Sequence, residues 1–360
     1  MKKLSSEDRD LWTYLRDSGK KIVMYGMGNG ADKILKVCAG KGIEISDFFA
    51  SDGFVRGHQF HGKTVLSYAD IKKKYSSFIV LLSFATSIPE VLRHIDEIAS
   101  ETELYVPSVP VFGETLFDMD FYLSHEDDLR RVYEMFSDER SREVYSAVIN
   151  ANLTGKLSFL KASTSERNEV WRSVLSPSHY RAAADLGAYN GDTVRELADY
   201  SSSLETVYAL EPDRRTFKKL SAYAESENRF EVKCFECAAW NRRETLYFDG
   251  SGNRNANLCR ADAGKKVTEV TAMPLDEIVG KNHVDYIKYD VEGSEYEALE
   301  GSRETIRRCS PELLISMYHR SEDMFVLPQK AAELCRGAKL YLRRFEYLPA
   351  WDLNLYVIPQ

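Results

Sequence analysis

The stretch Arg181–Thr193, RAAADLGAYNGDT, limits the fold more than any other part of the chain. A short apolar run, Ala182 to Ala184, ends on Asp185. A glycine turn follows (Gly187, Ala188, Tyr189, Asn190, Gly191), and Asp192 and Thr193 open a helical segment, VRELADY. Strand, glycine turn and helix start, in that order, form the unit with which a parallel α/β sheet holds ligands outside the carboxyl ends of its strands. Gly187 and Gly191 remove side chains where the backbone must approach a ligand or take a positive φ. About twenty residues further on, the strand in VYALEPD ends at Glu211, an acid able to accept from both hydroxyls of a ribose. This pair of strand ends suits any adenosine-type cofactor and does not choose among them.

The chain has 360 residues, 44% of them hydrophobic, enough for two ordinary domains with their own cores. A net charge of -8 argues against a nucleic-acid partner, whose phosphates reward a Lys/Arg surplus. MKKLSSEDRD carries two lysines but no apolar run after them, so it is not a secretory signal. The longest apolar run, Phe78 to Ala85, is far too short to span a bilayer. The expectation is a cytoplasmic protein with no membrane partner. The cysteines, at 38, 234, 237, 259, 309 and 335, are scattered and read as free thiols. Cys234 and Cys237 form a lone CxxC without the further ligands that zinc needs, and His58 and His61 read as surface residues. No metal site is expected.

Taken in order, residues 6–18 predict a helix capped by Ser6. Ile22–Tyr25 predicts a buried strand, and Gly26, Gly28 and Ala31 fit a GxGxxG/A turn. The following strand ends at Asp52, so this segment has the layout of a dinucleotide-binding βαβ unit. Gly26, Gly28 and Asp52 are thus candidates to bind a nucleotide or nucleotide sugar, though such glycines also serve close strand–helix packing. SFIVLLSFA and ETELYVPSVP supply two more strands, with a helix from Ser87 between them and Pro89 in its first turn. A small parallel sheet should be complete by about residue 113. From Phe117 to Leu160 the spacing predicts two helices with a charged, solvated face. Beyond the central turn, FEVKCFECAAWN reads as one strand and LYFDGSGNRNANL as a hairpin. Asn253, Asn255 and Asn257 at its tip could bind sugar hydroxyls or simply form the tip. KLYLRRFEYL and LNLYVIP have no helix between them and should pair antiparallel.

The fold class expected is α/β, with two Rossmann-like domains, the second ending in an antiparallel strand pair. The boundaries read as residues 1–115, a helical connector at 116–165 and a second domain at 166–360.

DLGAYNGDT, YALEPD, CAAW, PLDEI and above all YIKYDVEGSEYEALEG together resemble the FkbM family of S-adenosylmethionine (SAM)-dependent methyltransferases, over roughly residues 170–360. The antiparallel ending is also the arrangement of such enzymes. Two departures stand out: Tyr189 lies inside the glycine turn, and Ser316 stands where many members carry an acid on the fifth strand. The first domain looks more loosely like the Rossmann-type modules that precede some bacterial sugar-modifying enzymes.

The resemblance implies SAM as cofactor, cradled by Asp185, Gly187, Ala188, Tyr189, Asn190 and Gly191. Glu211 would take the ribose hydroxyls, and the backbone of Ala238 and Ala239 would lie by the adenine. It implies no bound metal. A hydroxyl acceptor needs a base nearby, and Asp290, Glu292 and His319 all follow predicted strands. Lys288 lies on the same strand face as Asp290 and could pair with it. His319 and Asp290 are the favoured bases. Equally, Glu292 and Glu295 could serve only the helix start, and His319 only packing. The leading expectation is an O-methyltransferase that moves the methyl to a hydroxyl of a sugar or glycan precursor, a small-molecule or glycan acceptor whose nucleotide or carrier part the first domain would recognise, with an oligomer open to it. The alternatives are an inactive nucleotide-binding or sensor protein and, last, an NAD-dependent oxidoreductase.

Overall fold

The computed structural model describes residues 4–51, 53, 57–249, 258–259 and 267–360. Asp52, Asn253, Asn255 and Asn257 lie outside them. Two sheets of mainly parallel strands organise the described chain. We number their strands in chain order. The first sheet contains β1 (Lys21–Tyr25), β2 (Asp47–Phe49), β3 (Phe78–Leu82) and β4 (Glu103–Tyr105), in the order β2-β1-β3-β4, all parallel. The second contains β5 (Ala182–Leu186), β6 (Thr206–Leu210), β7 (Glu231–Phe235), β8 (Tyr286–Tyr289), β9 (Glu312–Ser316), β10 (Lys339–Arg344) and β11 (Leu353–Ile358). Their order is β10-β11-β9-β8-β5-β6-β7. β5 to β9 run parallel, and β11 is antiparallel to both β9 and β10, as the missing helix between the last two strands requires.

One apolar core runs through both sheets. Val23, Val80, Tyr145, Leu186, Tyr289 and Leu342 belong to the same buried cluster, so the helices between the sheets are part of the packing. Four helices, not two, fill residues 119–162: Met119–Ser124, Glu126–Met135, Glu139–Thr154 and Leu157–Ala162. Non-helical His125, extended backbone at Phe136 with the Asp138 cap, and left-handed Gly155 create the three breaks. Their charged face is also not wholly solvated, because Asp138 pairs with buried Arg343 at 2.7 Å. Main-chain bonds join the two sheets' surroundings. Thr86 and Leu348 exchange N–H···O bonds of 2.8 and 2.9 Å, and Phe112 N–H donates to the His319 carbonyl at 2.9 Å.

Three local expectations are corrected. The first helix begins at Leu11, capped by Asp10, whose carboxylate accepts from Thr13 N–H at 2.8 Å. FEVKCFECAAWN is not one strand. After β7, Ala238–Ala239 leaves the main sheet to pair parallel with Val267–Met273 in a separate four-stranded sheet. A turn closed by Cys237 N–H on the Phe235 carbonyl makes that exit. The N-terminal glycines owe much to packing: a Cβ on Gly26 would lie 2.6 Å from the Phe84 ring, and one on Gly30 2.2 Å from the Ser83 carbonyl. Gly28, at φ 110, has open space around it. Among the described residues no helix is long and apolar enough to cross a membrane.

Candidate active site

The carboxyl ends of β5, β6 and β8 meet at the glycine turn. Gly187 N–H and Ala188 N–H both donate to the Leu210 carbonyl, at 3.0 and 2.9 Å, and Asp290 N–H donates to the Leu186 carbonyl at 3.0 Å. Gly187 has φ 88, and a Cβ there would lie 1.9 Å from the Asp290 carbonyl. No other residue type lets β5 and β8 end this close together. Gly191, at φ 83, lies against the Tyr223 ring.

Tyr189 is left-handed at φ 46 and 40% exposed, and its N–H donates to Glu211 at 3.0 Å. The other Glu211 oxygen accepts from Asp213 N–H at 2.8 Å. Burial pushes the Glu211 carboxyl up to about 7, although those two N–H groups favour its ionised form. Asn190 Oδ1 is buried without a hydrogen-bond partner. Ala238 and Ala239 are buried in the small sheet.

Across the β5–β8 pairing, Asp185 stands opposite Lys288, and Lys288 Nζ lies 3.1 Å from Asp185 Oδ1 and 3.7 Å from Asp290 Oδ2. Thr193 Oγ1 donates to the second Asp185 oxygen. Burial works against the Lys288 charge, yet Asp185 and Asp290 outweigh it and raise its pKa. Lys288 therefore pairs first with Asp185, and only more distantly with the expected Asp290. Asp290 also accepts from the Tyr318 hydroxyl at 3.1 Å. Burial acts to raise the Asp290 pKa, but Lys288 and His319 hold it below the ordinary value.

His319 is fully buried. Glu295 Oε1 lies 2.9 Å from its Nδ1, and Asp290 and Glu292 each lie 3.7 Å from its Nε2. Burial disfavours the imidazolium, but these carboxylates, Glu295 foremost, push the ring up to about 10. The ring is 0% exposed and does not line the cavity at this end of the sheet, which sets it apart from its favoured place as base in the sequence reading. Glu292 differs from it. It is a non-glycine residue at φ 56 with a side chain 44% exposed, and burial raises its carboxyl to about 7.

A cavity of about 660 Å³ opens at this end of the sheet. Asp185, Lys288, Asp290, Glu292 and Tyr318 line one wall, and Ala183, Tyr286, Leu314 and Tyr356 form an apolar floor. Arg167, also on the lining and half-exposed, bridges Glu196 at 3.0 Å and Asp352 at 2.8 Å. Asn29, Ala85 and Val111 close the cavity from the first sheet's side. The other turn residues (Gly187, Ala188, Tyr189, Asn190, Gly191), Glu211, Ala238, Ala239 and His319 are not on its wall; the turn and Glu211 sit beside it, on the crest of β5 and β6.

Spacing along the chain concealed several of these residues. Glu295 reads as a helix-start acid, and Arg167, Glu196 and Asp352 carry no motif. Asn29 follows the N-terminal GxG turn, the one signal that could have pointed to it. The expectation of no ligand cluster also fails: among the described residues, donor atoms of Asp290, Glu295 and His319 all lie within 4.8 Å of one another.

Residues 185–348 match the methyltransferase FkbM domain. No curated protein matches the chain. Among solved structures, methyltransferase FkbM from Methylobacillus flagellatus KT aligns over 94% of this chain and 90% of its own, with TM-score 0.71 and 19% identity. Fibrillarin from Aeropyrum pernix, solved with natively bound S-adenosyl-L-methionine, aligns over 51% of this chain and 69% of its own, with TM-score 0.34 and 12% identity. The first of these neighbours shares the fold over nearly the whole chain, and the similarity to the methyltransferase FkbM domain lies in residues 185–348.

Proposed function

We propose that the chain is a SAM-dependent O-methyltransferase that methylates a hydroxyl of a sugar or glycan precursor. The observation that carries this reading is the junction of two features: the glycine turn with Glu211, and the cavity whose wall presents Asp290 and Glu292. The residues present fit the cofactor. Each Glu211 oxygen uses one backbone N–H and keeps acceptor capacity, and Asn190 Oδ1 is a buried acceptor with no partner. Asp185, Gly187, Ala188, Tyr189, Asn190, Gly191 and Glu211 would hold it, with Ala238 and Ala239 nearby. When bound, it supplies a methyl group on a sulfonium.

This chain's residues then have three tasks. The cavity holds the acceptor oxygen in line and keeps water out, and alignment of that kind is worth up to about 7–11 kcal/mol. The carboxylates favour a positive charge beside them. Glu292 takes the hydroxyl proton as the oxygen–carbon bond forms and the carbon–sulfur bond breaks. Access decides this assignment: His319 is sealed, and Asp290 is occupied by Tyr318 and Lys288.

The first sheet contributes to acceptor recognition. A second hollow of about 260 Å³ lies by Gly30, Lys33 and Ser83, and Asn29, Ala85 and Trp351 line it as well as the main cavity. An acceptor longer than one sugar can reach from one to the other.

Isothermal titration of the full chain with SAM tests the cofactor, and transfer of labelled methyl to a panel of free and nucleotide-linked sugars tests the acceptor. No heat at millimolar SAM overturns the whole reading. Label appearing only on nitrogen or carboxyl groups overturns the oxygen acceptor. Thermal stabilisation by nucleotide sugars, with none by SAM, would favour the inactive binding protein.

A further inference from the structure

Asp290 ends β8, Glu295 starts the short helix Glu295–Glu300, and His319 follows β9. The fold brings one donor atom from each within 4.8 Å of the others. Three buried polar atoms there lack a hydrogen bond. Neither nitrogen of His319 has a hydrogen-bond partner, and Glu295 Oε2 has none either. Glu295 Oε1 lies 2.9 Å from His319 Nδ1, but off the direction a hydrogen bond needs, and is already taken by the N–H groups of Val291 and Gly293. His319 is 0% and Glu295 1% exposed, so water does not serve them from outside. Buried polar atoms left in this state are uncommon in folded proteins and call for a partner. Acids crowd the ring: Glu292 also faces it at 3.7 Å and Asp323 lies close by, while Lys288, paired with Asp185 at 3.1 Å, stands 3.7 Å from Asp290 and Arg320 spends its Nε on the Gly293 carbonyl.

We propose that Asp290, Glu295 and His319 form a site for a divalent transition-metal ion, of the Mn²⁺ or Zn²⁺ kind, beneath the cavity wall. One imidazole with two carboxylates suits such ions, whereas Mg²⁺ and Ca²⁺ prefer oxygen alone. Three protein ligands leave coordination positions open. Of the three, Asp290 lines the cavity, so an open position directed there could take the acceptor oxygen. Its proton would then be lost more readily to Glu292. This last role rests on the methyltransferase reading above; the site itself does not.

The test is Mn²⁺ titration of chelator-stripped full-length protein, without cofactor, followed by the loss of the free-ion electron paramagnetic resonance signal. Saturable uptake of about one ion per chain is expected, with Zn²⁺ competing and Mg²⁺ not. Asp290→Asn and Glu295→Gln should each weaken uptake about 10- to 100-fold. Asp290 is partly exposed, so its variant keeps the test open should substitution of buried Glu295 prevent folding. No saturable uptake at millimolar Mn²⁺ or Zn²⁺ overturns the proposal, as does undiminished uptake in a folded Asp290→Asn variant. A chain that binds SAM but no metal loses this inference alone; one that binds metal but no SAM loses only the methyltransferase reading.

Discussion

Lys288 and Asp185 sit opposite each other on adjacent parallel strands, joined by a 3.1 Å contact with side chains 9% and 6% exposed. Removing one partner strands the other's charge in the core. Lys288→Met should therefore cost about 3–5 kcal/mol. The double change Lys288→Met with Asp185→Asn should cost less than the sum of the single ones. Denaturant melts of the variants read both quantities, and strict additivity would show that the pair is not coupled.

Glu292→Gln keeps shape and removes the proposed base. Turnover should fall about 10²- to 10⁴-fold with little change in SAM affinity. Single-turnover methyl transfer combined with titration of cofactor separates the two. A variant with full turnover would return the proton acceptor to Asp290 or to a water.

With Glu211 in its proposed place at the ribose, cofactor binding should depend on pH. Its carboxyl titrates at about 7 in the fold, and only the ionised form accepts from both ribose hydroxyls. Affinity for SAM should weaken as pH falls from 8 to 6, and Glu211→Gln should bind weakly with a flat profile. Stability moves the other way. The folded value lies above the ordinary 4.5, so the fold binds this proton more tightly than the unfolded chain does. That contribution is complete below about pH 4.5 and is lost as pH rises through 7. Melting temperatures of the parent and Glu211→Gln across this window check the sign.

Gly187→Ala drives a Cβ to within 1.9 Å of the Asp290 carbonyl at φ 88. Steric overlap and left-handed strain together should cost about 2–5 kcal/mol. The displaced Asp290 should also lower methyl transfer in whatever fraction remains folded.

Phe112 links the first half to the site. Its ring packs on Gly293 and stands edge-on to His319, with centroids 6.0 Å apart. Phe112→Ala should cost about 3–5 kcal/mol, and Phe112→Leu under about 1.5. If the alanine variant melted like the parent, this contact would be incidental.

The parts of this site that are contiguous in the chain were legible in the sequence. A strand ending at Asp185, glycines at 187 and 191 and an acid at 211 announce themselves because backbone geometry demands particular residues at particular offsets. The parallel order and the antiparallel close were legible for the same reason, through the helices present or missing between strands. What arises from tertiary contact was hidden. The sequence carries no periodic mark of Arg343 meeting Asp138, of Asn29 and Val111 closing a cavity built by the other half, or of His319 sealed among acids. Ala238–Ala239 misled because two small apolar residues extend a strand as readily as they start another; only the pairing with Ala272–Met273 decides.

The paired main-chain bonds between Thr86 and Leu348 bear on how this polypeptide can be divided. They stitch the amino-terminal portion to the loop between the two closing strands, so separating the carboxyl-terminal half would break them. Cut free, it would lose Asn29, Ala85 and Val111 from one side of the cavity and bare the apolar surface that the amino-terminal portion covers.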